Sequence, residues 1–288
     1  MSHAVGGPGL GCEVHLDRGA RIVSLRSGDG LEWLAASERT ASPGRSQGFV
    51  RPGMGGWDEV APTVQADPAG DDIAGALVKT LPDHGDIWNV PWQVEAATPT
   101  SLTASVNLWS LPVTLERTIA ANATGLRFSY RASTPSVEPL PLLWCAHPQF
   151  AAGAGATLSL ESAGRPIAPE LVEMHPAQGR RRAFPAGPAH HGLAQGASLK
   201  AFVEPGSSVD AAVLRVAGGR SLRLEWDAGQ LPYLGLFWDN GEFAAEPVIA
   251  VEPSTAWGER LSAAAAGQRV LRLRRGRPLE WELRLSAG

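Results

Sequence analysis

The sequence predicts an all-β protein made of antiparallel strands, and three observations carry that expectation. Apolar residues recur with a period of two, helical periodicity is nearly absent, and 33 glycines and 23 prolines punctuate the whole chain as turn formers. In "VTLERTIAANATGLRFSYRAS", Val113, Leu115, Arg117 and Ile119 alternate with Thr114, Glu116 and Thr118; after "NATG", Leu126, Phe128 and Tyr130 resume the alternation. That pattern is a β-hairpin with one face buried. The Asn122 to Thr124 sequon falls at its tip and is read as a turn, because no secretory signal accompanies it.

The same alternation returns in "SLTASVNLW" from Ser101, "RSLRLEWD" from Arg220 and "LEWELRLS" from Leu279. In the last, Leu279, Trp281, Leu283 and Leu285 face one way while Glu280, Glu282 and Arg284 face the other, as half-solvated antiparallel strands require. One short helix of about three turns is expected in "STAWGERLSAAAAG", capped by Ser254 or Thr255 and ended by Gly267. Residues 151–200 alternate least. Strands of the same style flank them, so they are expected to form a loop insertion within one domain spanning residues 1–288. Arg180, Arg181, Arg182, His190 and His191 in that segment read as solvated loop residues, since no further ligand follows at a fixed spacing.

Composition narrows the function classes. The net charge of −4, with Lys79 and Lys200 as the only lysines, gives no electrostatic reason to expect nucleic acid or an anionic membrane as partner. Cys12 and Cys145 are too few and too distant for a disulfide framework, and are expected to be free thiols. No apolar run is long enough for a membrane-spanning helix and the first residues lack a signal-peptide pattern, so a cytoplasmic location is expected. Phosphate-loop, nucleophile-elbow, dinucleotide and metallopeptidase motifs are absent.

What remains is a set of polar residues at strand ends and in Pro/Gly loops. "LLWCAHPQF" is an apolar run that delivers His147 and then a proline; "VIAVEPSTA" delivers Glu252 in the same way. A carboxylate on an apolar strand is costly unless it is hydrogen-bonded or used, while a lone histidine there is also compatible with a satisfied core side chain. "LPDHGDIWNVPWQV" sets His84 in a loop with Asp83, Asp86, Trp88 and Asn89. The count of 10 tryptophans is high, and Trp57, Trp88, Trp92 and Trp238, beside polar Gly-rich stretches, are candidates to stack on sugar rings.

These segments together resemble the aldose 1-epimerase family, the galactose mutarotases and their relatives. The likeness runs from "GARIVSLRS" and "LEWLAA" through "HGDIWNVPWQV", "HPQF" and "YLGLFWDNGEF" to "VIAVEPSTA", nearly the whole chain. It implies a large antiparallel β-sandwich with a sugar cleft on its concave face and a cofactor-free exchange of α and β anomers of a hexose. Carried over by the resemblance, Glu252 is the general base at the anomeric hydroxyl, His147 the general acid at the ring oxygen, and His84 a second histidine that holds the sugar. Arg51, Trp57, Asp58 and Glu59 stand where the family has an Asn-Arg sugar contact, and Asp239 where it has an Asp ahead of the base; with Trp88 and Asn89 they complete the expected substrate-binding set. Two other readings stay open: a sugar-binding or sensing protein without turnover, and a different enzyme built on carboxylates or on a metal held by Asp83, His84, Asp86 and His147.

Overall fold

The computed structural model describes residues 1–37, 49, 54–68, 72–185, 187–188 and 192–288. In chain order the strands begin with β1 (Ser2–Gly6), β2 (Leu10–His15), β3 (Arg21–Ser27), β4 (Gly56–Val60), β5 (Gln93–Thr98) and β6 (Ser101–Asn107). They continue with β7 (Thr114–Ala121), β8 (Gly125–Ser133), β9 (Leu140–Leu142), β10 (Cys145–Ala151), β11 (Thr157–Ser162) and β12 (Arg165–Ile167). Next come β13 (Glu170–His175), β14 (Arg181–Ala183), β15 (Gly187–Pro188), β16 (Ala197–Val203), β17 (Ala211–Arg215) and β18 (Ser221–Trp226). Last are β19 (Tyr233–Asn240), β20 (Val248–Ser254), a helix α1 (Leu261–Ala266), β21 (Leu271–Leu273) and β22 (Leu279–Ala287).

Two ten-stranded sheets result. The first runs β1-β2-β3-β4-β10-β20-β19-β16-β13-β14; the second runs β12-β11-β17-β18-β22-β8-β7-β6-β5, with β15 added beside β11. The two pack face to face over a core that contains Trp57 of the first sheet stacked on Phe128 of the second, ring centroids 4.8 Å apart. The β7–β8 hairpin forms as its alternation requires, and Asn122 closes the tip by accepting the backbone N–H groups of Thr124 and Gly125.

Two expectations are corrected. Residues 151–200 are not a loop insertion: they supply β13, β14 and most of β16 to the first sheet and β11, β12 and β15 to the second. Leu171, Val172 and Glu173 of β13 are buried in succession, as is β16 from Ser198 to Val203, so neither strand shows the alternation of a half-solvated one. The triple arginine there is paired, Arg181 with Glu170 and Glu204, and Arg180 and Arg182 with Glu173. The helix starts at Leu261 rather than after Ser254 or Thr255, although Gly267 ends it as expected. Ser254 and Thr255 donate instead to the carbonyls of Trp144 and Leu142, and Asp67, from a distant loop, accepts the Ser262 N–H at the first turn.

Candidate active site

Sheet register builds the site. Asp58 of β4 lies opposite His147 of β10, and the register that sets Cys145 opposite Ser254 and Gln149 opposite Ala250 sets His147 opposite Glu252 of β20. Glu252 faces Gly235 of β19, which faces Phe202 of β16. Directly opposed residues of antiparallel strands project to the same side. One row across the first sheet therefore carries Asp58, His147, Glu252 and Phe202 on the face turned away from the second sheet. The next row carries Gln149, Phe237 and Lys200. Their sequence neighbours Trp57, Ala146, Val251, Leu236 and Ala201 point into the core.

Gly235 gives the row its depth. A Cβ there would stand 2.8 Å from Glu252 Oε2 and 3.2 Å from the Phe202 ring, so only a residue without one leaves the carboxylate its place. Glu252 is fully buried, with Lys200 Nζ donating to Oε2 and His147 Nε2 3.5 Å from Oε1. Oε1 accepts no hydrogen bond among the described residues. Gln149 Nε2 lies 3.3 Å from His147 Nδ1. Its amide suits either state of the imidazole: the nitrogen donates to a bare Nδ1, and the oxygen, after a half-turn, accepts from a protonated one.

His84 approaches from the loop between β4 and β5. Its N–H donates to Val64 O at 2.8 Å, the Asp86 N–H donates to Ala61 O at 2.6 Å, and Gly85, at φ 74°, sits where a Cβ would be 1.9 Å from Ala61 O. So tightly laid down, His84 adopts φ 55°, a left-handed conformation that histidine tolerates better than most residues. Phe49 stacks on its ring at 3.7 Å and 5°, and the two histidine rings meet edge to face at 5.7 Å. Asp83 Oδ2 lies 3.1 Å from His84 Nδ1. Burial opposes the Asp83 charge, yet His84 and the Phe49 N–H outweigh it and hold that carboxyl below the usual range.

A cavity of about 300 Å³ opens in front of this group, lined by Phe49, His84, His147, Lys200, Phe237 and Phe243 among others. That volume is at the small end for ligand sites, which run from roughly 300 to 1,000 Å³, and matches one monosaccharide. Glu252 does not reach its surface; His147 and Lys200 lie between, and one of them must shift for a ligand to touch the carboxylate. Burial also pushes the carboxyl of Glu259, on the cavity wall, above the usual range, with Lys200 pulling it back and Glu252 pushing it further up.

Compared by sequence, no family model and no curated protein matches the chain. Solved structures do. The Slr1438 protein of Synechocystis sp. PCC 6803 superposes with a TM-score of 0.77 at 14% identity, over 100% of this chain and 96% of that one. A galactose mutarotase-like protein from Lactobacillus casei gives a TM-score of 0.71 at 17% identity, over 100% of both chains. The fold is galactose mutarotase-like. A galactose mutarotase related enzyme from Lactobacillus acidophilus agrees, with a TM-score of 0.73 at 14% identity over 100% of this chain and 97% of that one.

Within this mutarotase-like fold the structure sets His84 and His147 on the cavity, places Glu252 behind them, fully buried and paired with Lys200 rather than facing an open cleft, and puts other members of the predicted set elsewhere. Trp57 is buried in the inter-sheet core, because on β4 it alternates with Asp58 and faces the second sheet. Glu59 follows it inward: its carboxylate accepts from Arg117, Tyr130 and Trp144. Asp58 stays in the His147 row, yet it is fully buried with Arg21 Nε 3.5 Å from its carboxylate, and does not line the cavity. Trp88 and Asn89 are buried in the His84 loop; Trp88 meets the Phe49 ring edge-on at 5.2 Å, behind the cavity wall. Trp92 and Trp238 belong to the core. Arg51, His190 and His191 lie outside the described residues. Asp86, a candidate metal ligand, accepts from the N–H and hydroxyl of Ser110, and no cluster of three metal-ligating side chains occurs among the described residues.

Asp239 is not a cavity residue either. It is fully buried and its carboxylate accepts the N–H groups of Gly241, Phe243 and Ala244, folding the turn that carries Phe243 to the cavity. Asp239→Ala is expected to cost about 1–3 kcal/mol of stability through the orphaned donors, and to weaken binding of whatever ligand the cavity takes. Chemical denaturation and titration of the same variant check both parts.

Lys200, which lines the cavity and pairs with Glu252, is the residue of this cluster that the sequence reading missed. Burial disfavours its charge, but Glu252, Glu259 and Cys145 outweigh it and raise its pKa above the ordinary lysine value. A group raised on folding stabilises the native state below its unfolded pKa, near 10.4 for lysine, and loses that contribution as pH rises through the higher folded value. Thermal melts from pH 9 upward, to about pH 12, are expected to show falling stability. The doubly neutral variant Lys200→Met with Glu252→Gln should show a smaller fall.

Proposed function

We propose that the chain, working as one domain over residues 1–288, is an aldose 1-epimerase that interconverts the α and β anomers of a hexose without a cofactor. The observation that carries this reading is the opposed pair at the centre of the first sheet, an unbonded Glu252 Oε1 3.5 Å from His147 Nε2, beside a cavity of monosaccharide size. Once His147 swings aside from its resting place against Glu252, Oε1 removes the proton from the C1 hydroxyl while the His147 imidazolium gives its Nε2 proton to the ring oxygen. The bond between C1 and the ring oxygen breaks, leaving an open-chain aldehyde. Rotation about the C1–C2 bond presents the other carbonyl face, and the two groups exchange roles on closure. Lys200 occupies Oε2 and so leaves Oε1 as the basic atom; His84, fixed by Phe49 and Asp83, holds the sugar at the cavity edge.

The Lys200–Glu252 pair also supports a second reading, in which the same cavity binds a sugar without converting it, because the ammonium and His147 cover the base. Polarimetry separates the two. Freshly dissolved α-D-glucose and α-D-galactose should reach their usual equilibrium rotation faster with protein present; a sugar that binds with no gain in rate supports the binding protein instead.

A further inference from the structure

The chain has only two lysines, Lys79 and Lys200, and draws the rest of its side-chain positive charge from arginine. Lys79 is exposed, whereas Lys200 is buried in the cavity wall with Nζ donating to Glu252 Oε2. Among the described residues, the titratable groups around Nζ are Glu252 from β20, Cys145 and His147 from β10, and His175, which stands opposite Lys200 on β13; Glu259, Asp83 and His84 line the same cavity from loops. The Phe202 ring lies 5.5 Å from Nζ on the same strand. Burial works against an ammonium here, and Glu252 and Glu259 outweigh it.

During ring opening Glu252 Oε1 takes the C1 proton while Lys200 holds Oε2, so the aldehyde carbon forms one carboxylate's width from an amine. A neutral amine there would capture it: the bond between Nζ and C1 forms, both Nζ protons leave with the carbonyl oxygen as water, and a C1=Nζ imine remains. An ammonium has no lone pair for that attack. Resting on the epimerase reading, we infer that Glu252 has a second role: it holds Lys200 as an ammonium, and so keeps the open-chain sugar from being trapped on the protein. The protection lasts through ring opening, because the C1 proton that neutralises Glu252 stays in the sugar-filled cavity and lysine is the strongest base in it. A neutral side chain at 252 removes it. Lys200 then equilibrates with solvent before any sugar arrives, and burial favours the free amine.

Reductive trapping of the full chain tests this. Each protein is incubated at mildly alkaline pH with cyanoborohydride and D-glucose, D-galactose or glyceraldehyde, and adducts at both lysines are measured by peptide mass spectrometry, with exposed Lys79 as the internal reference. Wild type should carry adducts at Lys79 and almost none at Lys200. Glu252→Gln should raise the ratio of Lys200 to Lys79 adducts about tenfold or more, the effect of one pKa unit at Lys200. Glu252→Asp, still a carboxylate, should stay near the wild-type ratio. Wild type also gives a measurement that needs no variant: with carbon-13-labelled lysine the two Cε signals titrate separately, and Lys200 should keep its proton above the pH at which Lys79 releases its own. A Lys200 that titrates at or below Lys79, a Glu252→Gln protein trapped no more than wild type, or Asp and Gln variants trapped equally, overturns the masking role. Glyceraldehyde needs no ring opening. A raised ratio in a chain that fails the polarimetric assay therefore removes the epimerase reading alone, and faster anomer exchange with an unchanged ratio removes the masking role alone.

Discussion

Glu252→Gln is expected to remove roughly a hundredfold to ten-thousandfold of the anomer-exchange rate, the usual contribution of one positioned acid or base, while sugar affinity stays within a few fold. Gln keeps the shape of the side chain and an oxygen for Lys200, but it cannot take the C1 hydroxyl proton. The change also strands a buried ammonium, so a stability loss should accompany it, and rates must be compared per folded molecule. His147→Asn should damage turnover by a similar factor. The double variant should lose much less than the product of the two, because both groups act on one proton-coupled bond cleavage. A Glu252→Gln protein that retained full rate would remove this carboxylate from the mechanism.

The largest expected effect on stability lies in the core rather than in the cavity. Glu59 is fully buried and accepts from Arg117 Nη1 at 2.9 Å, Tyr130 OH at 2.9 Å and Trp144 Nε1 at 3.0 Å, tying β4 of one sheet to β7 and β8 of the other. Arg117 also donates to Ala20 O and stacks over Trp92 at 5.1 Å. Arg117→Met leaves the carboxylate without its counter-charge and is expected to cost about 3–5 kcal/mol in denaturant unfolding. Adding Glu59→Leu should recover much of that loss, since an apolar pair avoids the burial of charge. Neither change touches the outer face of the first sheet, so the fraction that remains folded should exchange anomers at the wild-type rate.

Much of the fold could be read from the chain because half of it announces itself. The strands of the second sheet, such as β7, β8 and β22, bury one face only, and Leu115, Ile119, Leu283 and Leu285 repeat every second residue in consequence. The first sheet is covered on both sides where it carries the cavity, and β16 and β20 are buried along nearly their whole length. Such strands lose the alternation, which is why residues 151–200 read as a loop. His147 and Glu252 were legible as charged or titratable groups on apolar strands followed by proline. "ASLKAFV" carries the same signal at Lys200, a cation on an apolar strand, and predicts a buried partner by the same reasoning. Trp57 misled because composition near a Gly-rich stretch does not say which face of a strand a residue takes, and it alternates inward; Asp239, placed in the set by the family resemblance alone, is consumed by its own turn. Phe49, alone in a Gly/Pro-rich stretch, offered no periodic signal at all.

Anomeric exchange observed at equilibrium by nuclear magnetic resonance tests the central claim most directly, with saturation of one anomeric proton transferred to the other at matched sugar occupancy of wild type and Glu252→Gln. The acid–base account predicts strong transfer in the wild type and near-background transfer in the variant, even though both bind the sugar. Equal transfer in the two proteins, or none in a wild-type chain that demonstrably holds the sugar, would contradict it.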